Sequence, residues 1–290
     1  MGKIFDKKFI KENFPDRNPN SNKGDYGKIL NIAGSRNFSG AAYLSSYSAL
    51  KTGAGYVTLA CPDNIVNSIA AMAPEITFIP LHSTKVGSIS ENNNLIDKLS
   101  NYNVISIGCG LTTEKSTEKF VMNLFPQFLD NHKIVVDADA INILAHNHNI
   151  TSLKDAIITP HPKELSRLLN VDIFEINTNR EKYARIASQT YQCITVLKGH
   201  NTIITDGDKI FVNLTGNSAL AKAGTGDVLT GVISSLLAQG LSSFNAAIVG
   251  VYLHGLAGDI ASQQLTQYSV VASDVIDYIP LAIKKIINDD

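Results

Sequence analysis

Short apolar runs alternate along this chain with longer stretches in which apolar residues recur every three or four positions. The runs at 28–33, 56–60, 104–107, 133–136, 156–159 and 194–197 are dominated by Val, Ile, Leu and Ala. Runs of that length and density fit strands buried on both faces of a sheet. Between them, 41–51, 115–129 and a stretch ending at Ala145 read as helices, with Gly53 and Gly55 stopping the first. A strand–loop–helix–strand opening favours parallel strands joined by crossover helices. Residues 202–205 and 209–212 flank Asp206-Gly207-Asp208 and read as a hairpin. Three helices close the chain: one carrying Val228, Leu229, Val232, Ile233, Leu236 and Leu237 on one face, then 245–262, then 273–287. Residues 1–24 are polar and read as a helix followed by a loop. No repeat, low-complexity tract or linker interrupts the pattern, which predicts one doubly wound α/β domain over residues 1–290.

Composition narrows the partners. The formal net charge is -1 with no basic block, which argues against nucleic acid and against a polybasic membrane surface. No stretch reaches the roughly 20 apolar residues that span a bilayer, and the first 14 residues lack an apolar signal core. Cys61, Cys109 and Cys193 show no C-x-x-C spacing and sit beside apolar runs, so buried free thiols are expected. These features predict a cytoplasmic protein in a reducing compartment.

The candidate chemistry centres on Asn217 to Gly231, NSALAKAGTGDVLTG. Two glycines in three residues suit φ values that other residues avoid. An apolar helix follows at once, so Gly224, Thr225 and Gly226 would present unpaired amides at its N-terminus, a seat for an anion. Asp227 beside that seat can act as a positioned base in phosphoryl transfer, or serve simply as a cap. Other unusual residues follow strands directly: Gly34-Ser35, Gly108-Cys109-Gly110, Asp137-Ala138-Asp139, Thr159-Pro160-His161-Pro162 and Lys198-Gly199. Ligands of open parallel sheets bind at that edge, which predicts one cleft there. Asp137 and Asp139 can contact Mg²⁺ through water, with Asp139 the better candidate for a helix cap. Glu164 suits either a metal environment or the first turn of a helix. Lys198 and Lys222 can neutralise phosphate, though a solvated lysine is the default for Lys222. There is no P-loop string and no G-x-G-x-x-G after the first strand, so neither a P-loop enzyme nor a Rossmann dehydrogenase is expected.

A-K-A-G-T-G-D-V-L-T-G resembles the anion-hole segment of the ADP/ATP-dependent NAD(P)H-hydrate dehydratases, members of the ribokinase-like superfamily. T-P-H-P-x-E at Thr159 to Glu164, K-G-x-x-T at Lys198 to Thr202, G-D-Y-G at Gly24 to Gly27 and G-A-A at Gly40 to Ala42 are similar to that family too. Gly108-Cys109-Gly110-Leu111 resembles its G-P-G-L-G, with Cys109 in place of proline and Thr112 in place of the last glycine. The resemblance implies a three-layer α/β/α sandwich with a mostly parallel central sheet. It implies repair of the S form of NADH hydrate and NADPH hydrate, driven by ADP or ATP with Mg²⁺. Asp227 would be the base and Gly224, Thr225 and Gly226 the anion hole. Ala42, Gly110, His161 and Asp227 would meet the hydrate. Lys198, Gly199, His200, Asn201, Thr202, Asn217, Lys222 and Gly226 would meet the nucleotide, and Asp137 and Glu164 the magnesium. It further implies a homo-oligomer, with a tetramer one form, and no N-terminal epimerase domain within this length. The competing expectations are a ribokinase-like kinase of hydroxyethylthiazole, pyridoxal or a sugar alcohol, and a non-catalytic nucleotide-binding protein.

Overall fold

The computed structural model describes residues 3–4, 7–129, 131–147 and 152–288. Of the expected N-terminal helix and loop, residues 1–2 and 5–6 lie outside that set. The chain opens with β1 (Lys3–Ile4) and α1 (Lys7–Glu12), then β2 (Lys28–Ile32), α2 (Ser39–Thr52), β3 (Tyr56–Pro62), α3 (Val66–Ala70) and β4 (Thr77–Leu81). It continues through α4 (Ile96–Leu99), β5 (Val104–Ile107), α5 (Lys115–Phe128), β6 (Lys133–Val136), α6 (Ala138–His146) and β7 (Ile157–Ile158). Next come α7 (Pro162–Leu169), α8 (Ile173–Thr178), α9 (Arg180–Tyr191) and β8 (Ile194–Leu197). The hairpin β9 (Ile203–Thr205) and β10 (Ile210–Val212) leads to α10 (Thr225–Ala238), α11 (Ser243–Gln264) and α12 (Ala272–Asn288).

All ten strands join one sheet in the order β1-β10-β9-β8-β7-β6-β5-β2-β3-β4. The pairings from β8 through β4 are parallel, and β9 pairs antiparallel with both β8 and β10. The expected α/β architecture with a mostly parallel sheet is borne out. Each central strand divides its apolar residues between two faces, because successive side chains point opposite ways. Leu30, Ile32, Ile105, Ile107, Ile134 and Val136 bury against α5, α6, α7 and α9. Ile29, Val104, Val135, Ile157 and Val196 bury against α10, α11 and α12. Two helical layers thus sandwich the sheet.

The sequence pattern did not reveal β4. It lies at the sheet edge, alternates exposed and buried residues, and carries Pro80, which an edge strand tolerates because it has an unpaired side. A second correction concerns α11. Its 22 residues are long and apolar enough to cross a bilayer by length and composition, against the expectation that no such stretch exists. Here the helix is packed inside the domain, with Ala246, Val249, Leu253 and Ala257 fully buried or nearly so. Helix α10 presses closely on α2: a Cβ on Gly231 would lie 2.0 Å from Ser48 Oγ and 2.1 Å from the Ser45 carbonyl oxygen. The last glycine of the G-T-G-D-V-L-T-G string therefore serves packing, and it fixes where the start of α10 stands over the sheet.

Candidate active site

Five neighbouring parallel strands, β8, β7, β6, β5 and β2, end side by side. Each of the unusual strand-end segments follows one of them, so one edge collects them all. Strand order reverses between β5 and β2, the place where open α/β sheets leave a crevice. The two loops at this point are tied by the Gly34 amide donating to the Cys109 carbonyl at 2.8 Å. Only glycine fits at Gly108, where a Cβ would fall 1.8 Å from the Asp137 carbonyl oxygen. Thr112, which stands where the family pattern has glycine, adopts φ 68°, unusual for a β-branched residue. Its amide donates to Asp139 Oδ2 at 2.8 Å, which holds that turn. Asp139 therefore does not cap α6, as its spacing suggested. It sits within the first turn and reaches across to the neighbouring loop.

Behind these loops lies a buried charge centre. Lys198 Nζ donates to Asp137 Oδ1 at 2.6 Å and lies 3.8 Å from Glu164 Oε2. Thr230 Oγ1 from α10 donates to Asp137 Oδ2 at 2.7 Å. Burial pushes the Asp137 carboxyl up, but the Lys198 ammonium and the Thr230 and Thr159 hydroxyls carry it below the usual range. Glu164 goes the other way: burial keeps its carboxyl above the usual range despite Lys198. Burial pulls the Lys198 ammonium down, and Asp137 and Glu164 more than offset this. His161 caps α7 in extended backbone, its Nδ1 accepting the amides of Lys163 at 3.1 Å and Glu164 at 3.2 Å. Burial, then Lys198, pulls its pKa down, so the ring is neutral. With Nδ1 accepting, the proton sits on Nε2, 3.3 Å from Glu164 Oε1.

Asp227 lies in the first turn of α10, whose N-cap is Gly224 at φ 90°. Among the described residues, the amides of Gly226 and Asp227 have no acceptor, as expected for the first turn of a helix. Gly224 alone uses a left-handed backbone; Gly226 is helical, and a Cβ there would lie 3.7 Å from Lys198 Nζ. The ammonium and the open amides thus face the same space. Burial, then the nearby Asp137 charge, pushes the Asp227 carboxyl up to about 6, with Cys109 and Lys198 pulling the other way. The donor atoms of Asp227, Asp137 and Cys109 lie within 4.8 Å of one another. Burial keeps Cys109 a neutral thiol.

Beside the start of α10 opens a cavity of about 350 Å³, in the size range of small-molecule sites. Its walls include Lys198, Gly199, His200, Asn201 and Thr202 on one side and Thr225 and Gly226 on another. Asn217 lines it too, with its Nδ2 donating to Asp259 Oδ1 at 2.7 Å and Ser262 Oγ at 2.8 Å. Lys222 does not line it, and its ammonium donates to the Tyr268 carbonyl on the exposed surface. Sequence reasoning passed over Leu214, Leu229, Val251 and His254, which supply the apolar wall and one imidazole. Burial pushes His254 down to about 4, so its ring is neutral, and its Nε2 is buried without a partner. A histidine and an aspartate, His254 and Asp259, in an otherwise apolar helix were the available signal.

The NAD(P)H-hydrate dehydratase family profile matches residues 29–281. This chain belongs to the NAD(P)H-hydrate dehydratase family. The bifunctional NAD(P)H-hydrate repair enzyme of Moorella thermoacetica is 36% identical over 283 residues, 96% of this chain and 53% of that protein. The dehydratase-family chain therefore spans about half the length of such bifunctional relatives. The crystal structure of the ADP/ATP-dependent NAD(P)H-hydrate dehydratase from Bacillus subtilis, co-crystallised with ATP and Mg²⁺, superposes with a TM-score of 0.84 at 29% identity and covers 98% of both chains. A ribokinase-like superfamily protein from Enterococcus faecalis superposes with a TM-score of 0.87 at 25% identity, covering 98% of this chain and 96% of that one. The expected family and the ribokinase-like fold are borne out.

Within this dehydratase-family site, Asp137 and Glu164 fit Mg²⁺ only through water. Both Asp137 oxygens already accept strong donors, and Glu164 Oε2 accepts the His161 amide at 2.8 Å. Mg²⁺ keeps several of its waters, and a neutral thiol such as Cys109 does not attract it. Ala42, expected to meet the hydrate, is fully buried and packs against Gly34, so its side chain is closed to a ligand here. Gly110 packs against Ala41 and Phe38 at the same crevice.

Proposed function

We propose that this chain restores NADH and NADPH from the S forms of their hydrates, using ADP or ATP as phosphoryl donor. The observation that carries it is one arrangement. A carboxylate raised to about 6 stands in a helical first turn with unpaired amides, and the two residues before it, Thr225 and Gly226, line a cavity together with K-G-x-x-T. Asp227 takes the proton from the C6 hydroxyl as that oxygen attacks the terminal phosphorus. The amides of the first turn of α10, with Lys198, stabilise the charge on the transferring phosphoryl group. The C6–O bond then breaks, inorganic phosphate leaves, and a proton departs from C5, giving the dihydronicotinamide. ADP ends as AMP and ATP as ADP. Mg²⁺ on the nucleotide phosphates would neutralise their charge, with its waters reaching Asp137 and Glu164. His161, neutral and half-exposed beside this centre, would contact the hydrated ring. The family resemblance also supports a homo-oligomer, and three free thiols support a reducing, cytoplasmic setting.

The deciding assay mixes chemically hydrated NADH, ADP and Mg²⁺ with the protein. Absorbance in the reduced-nicotinamide band should return, with one phosphate released per NADH formed. A stable phosphorylated product without phosphate release would point to a kinase instead.

The pH profile follows from Asp227. A base must be deprotonated, so kcat/KM, which reports the free enzyme, should fall about tenfold per pH unit below about 6 and level off above it. A flat profile through that region would remove Asp227 from the role of base.

A further inference from the structure

Arg180 opens α9 and lies on the far side of the loop at residues 198–202, away from the cavity. Its Nη2 donates to the carbonyls of Leu197 at 3.1 Å and Lys198 at 3.2 Å, and its Nη1 donates to the carbonyl of His200. Among the described residues, no carboxylate lies within ion-pair distance of it. Its Nε is buried without a partner. A half-buried cation is therefore committed wholly to main-chain oxygens of one loop.

The consequence is geometric. A trans peptide points its N–H opposite to its C=O, and no peptide bond here is cis. The carbonyls of Lys198 and His200 face Arg180, so the amides of Gly199 and Asn201 face away from it. Both residues line the cavity, and neither amide has an acceptor among the described residues. The loop turns through Gly199 at φ 143° and Asn201 at φ 54° to achieve this. A Cβ on Gly199 would come 2.9 Å from Arg180 Nη2, so the guanidinium fills the space a side chain there would need.

We propose that Arg180 is a positioning residue for the nucleotide: by pinning three carbonyls from behind, it aims the amides of Gly199 and Asn201 into the cavity as donors to phosphate oxygens. It acts through the loop and touches no ligand. This rests on the nucleotide reading of the cavity. A lysine cannot take its place, because one ammonium cannot span three carbonyls as a planar fork does.

The test is calorimetric titration of ADP, without hydrate, into the wild type, Arg180→Lys and Arg180→Ala, together with steady-state kinetics and thermal melting. Loss of charge-assisted bonds should raise the ADP Kd about tenfold in Arg180→Lys and more in Arg180→Ala. The KM for the hydrate should stay near the wild-type value. Millimolar guanidinium ion should restore ADP affinity to Arg180→Ala and leave the wild type unchanged. If the wild type binds ADP and both variants bind it equally well, the proposal is overturned while the nucleotide cavity stands. If the variants lose ADP and hydrate in parallel with a fall in melting temperature, Arg180 is a general brace and the proposal is likewise overturned. If the wild type itself binds no ADP, the nucleotide reading fails first.

Discussion

Asp227→Asn should lose turnover by about 10³-fold, the scale of a positioned base, and yet unfold at a higher temperature than the wild type near neutral pH. The two effects share one cause. Folding raises this carboxyl from 3.8 to about 6, chiefly by burial and secondly through Asp137. A group whose folded pKa is raised contributes stability that is full below its unfolded pKa and lost as pH rises through its folded pKa. At neutral pH the wild type therefore carries a buried charge that costs about 3 kcal/mol at most, from about two units at about 1.4 kcal/mol each. Asparagine keeps the shape and removes that charge. Urea denaturation of both proteins checks it: the variant should be more stable near neutral pH, with the gap closing towards about pH 4, where Asp227 is protonated. ADP binding should persist in the variant, because the open amides and Lys198 remain. Full activity in Asp227→Asn would sink the base assignment. An equal gap at both pH values would show that Asp227 carries no burial penalty.

Lys198→Met should be the most destabilising change at the site, by about 3–5 kcal/mol. Lys198 is the only cation among the described residues that contacts the buried carboxylates of Asp137 and Glu164 from outside α7, and its own side chain is 19% exposed. Removing it leaves two uncompensated buried carboxylates. With Lys198 present, Asp137 titrates below the usual range, so its contribution is in place above the unfolded pKa and fades only as pH falls through the lower folded value. The loss in Lys198→Met should therefore be large at neutral pH and shrink in acid, where the carboxylates take up protons. Adding Asp137→Asn and Glu164→Gln to Lys198→Met should recover part of the loss, since the buried charges go with the partner. If the single variant melts like the wild type, the ion pair is unimportant to the fold. If the triple variant is less stable still, packing of the lysine stem rather than charge explains the cost.

These two residues also show how far residue order alone reaches. G-T-G-D before an apolar helix placed Asp227 in a first turn, because helix periodicity and glycine are local signals. Lys198 was legible as a cation at a strand end, but its engagement with Asp137, 61 residues away in sequence, was not. Lys222 was a further candidate for phosphate, with a solvated lysine as the default, and it turned outwards to Tyr268. Nothing in a lysine's neighbours along the chain says which way a long flexible stem will lie. Asp139 fails for the same reason: its spacing suits a cap, but the neighbouring loop brings the Thr112 amide to it.

What the chain determined unaided was the alternation of buried strands and helices, the strand-end positions of the unusual residues, and the family strings that name the chemistry. Those follow from short-range periodicity and from backbone preferences of glycine and proline. Only the tertiary structure decided that β8, β7, β6, β5 and β2 end side by side, that His254 and Val251 of α11 close the cavity wall, and that Arg180 grips the loop from behind. Each of those joins residues far apart in sequence, and such pairings are selected by packing and charge compensation in three dimensions, which no local pattern encodes.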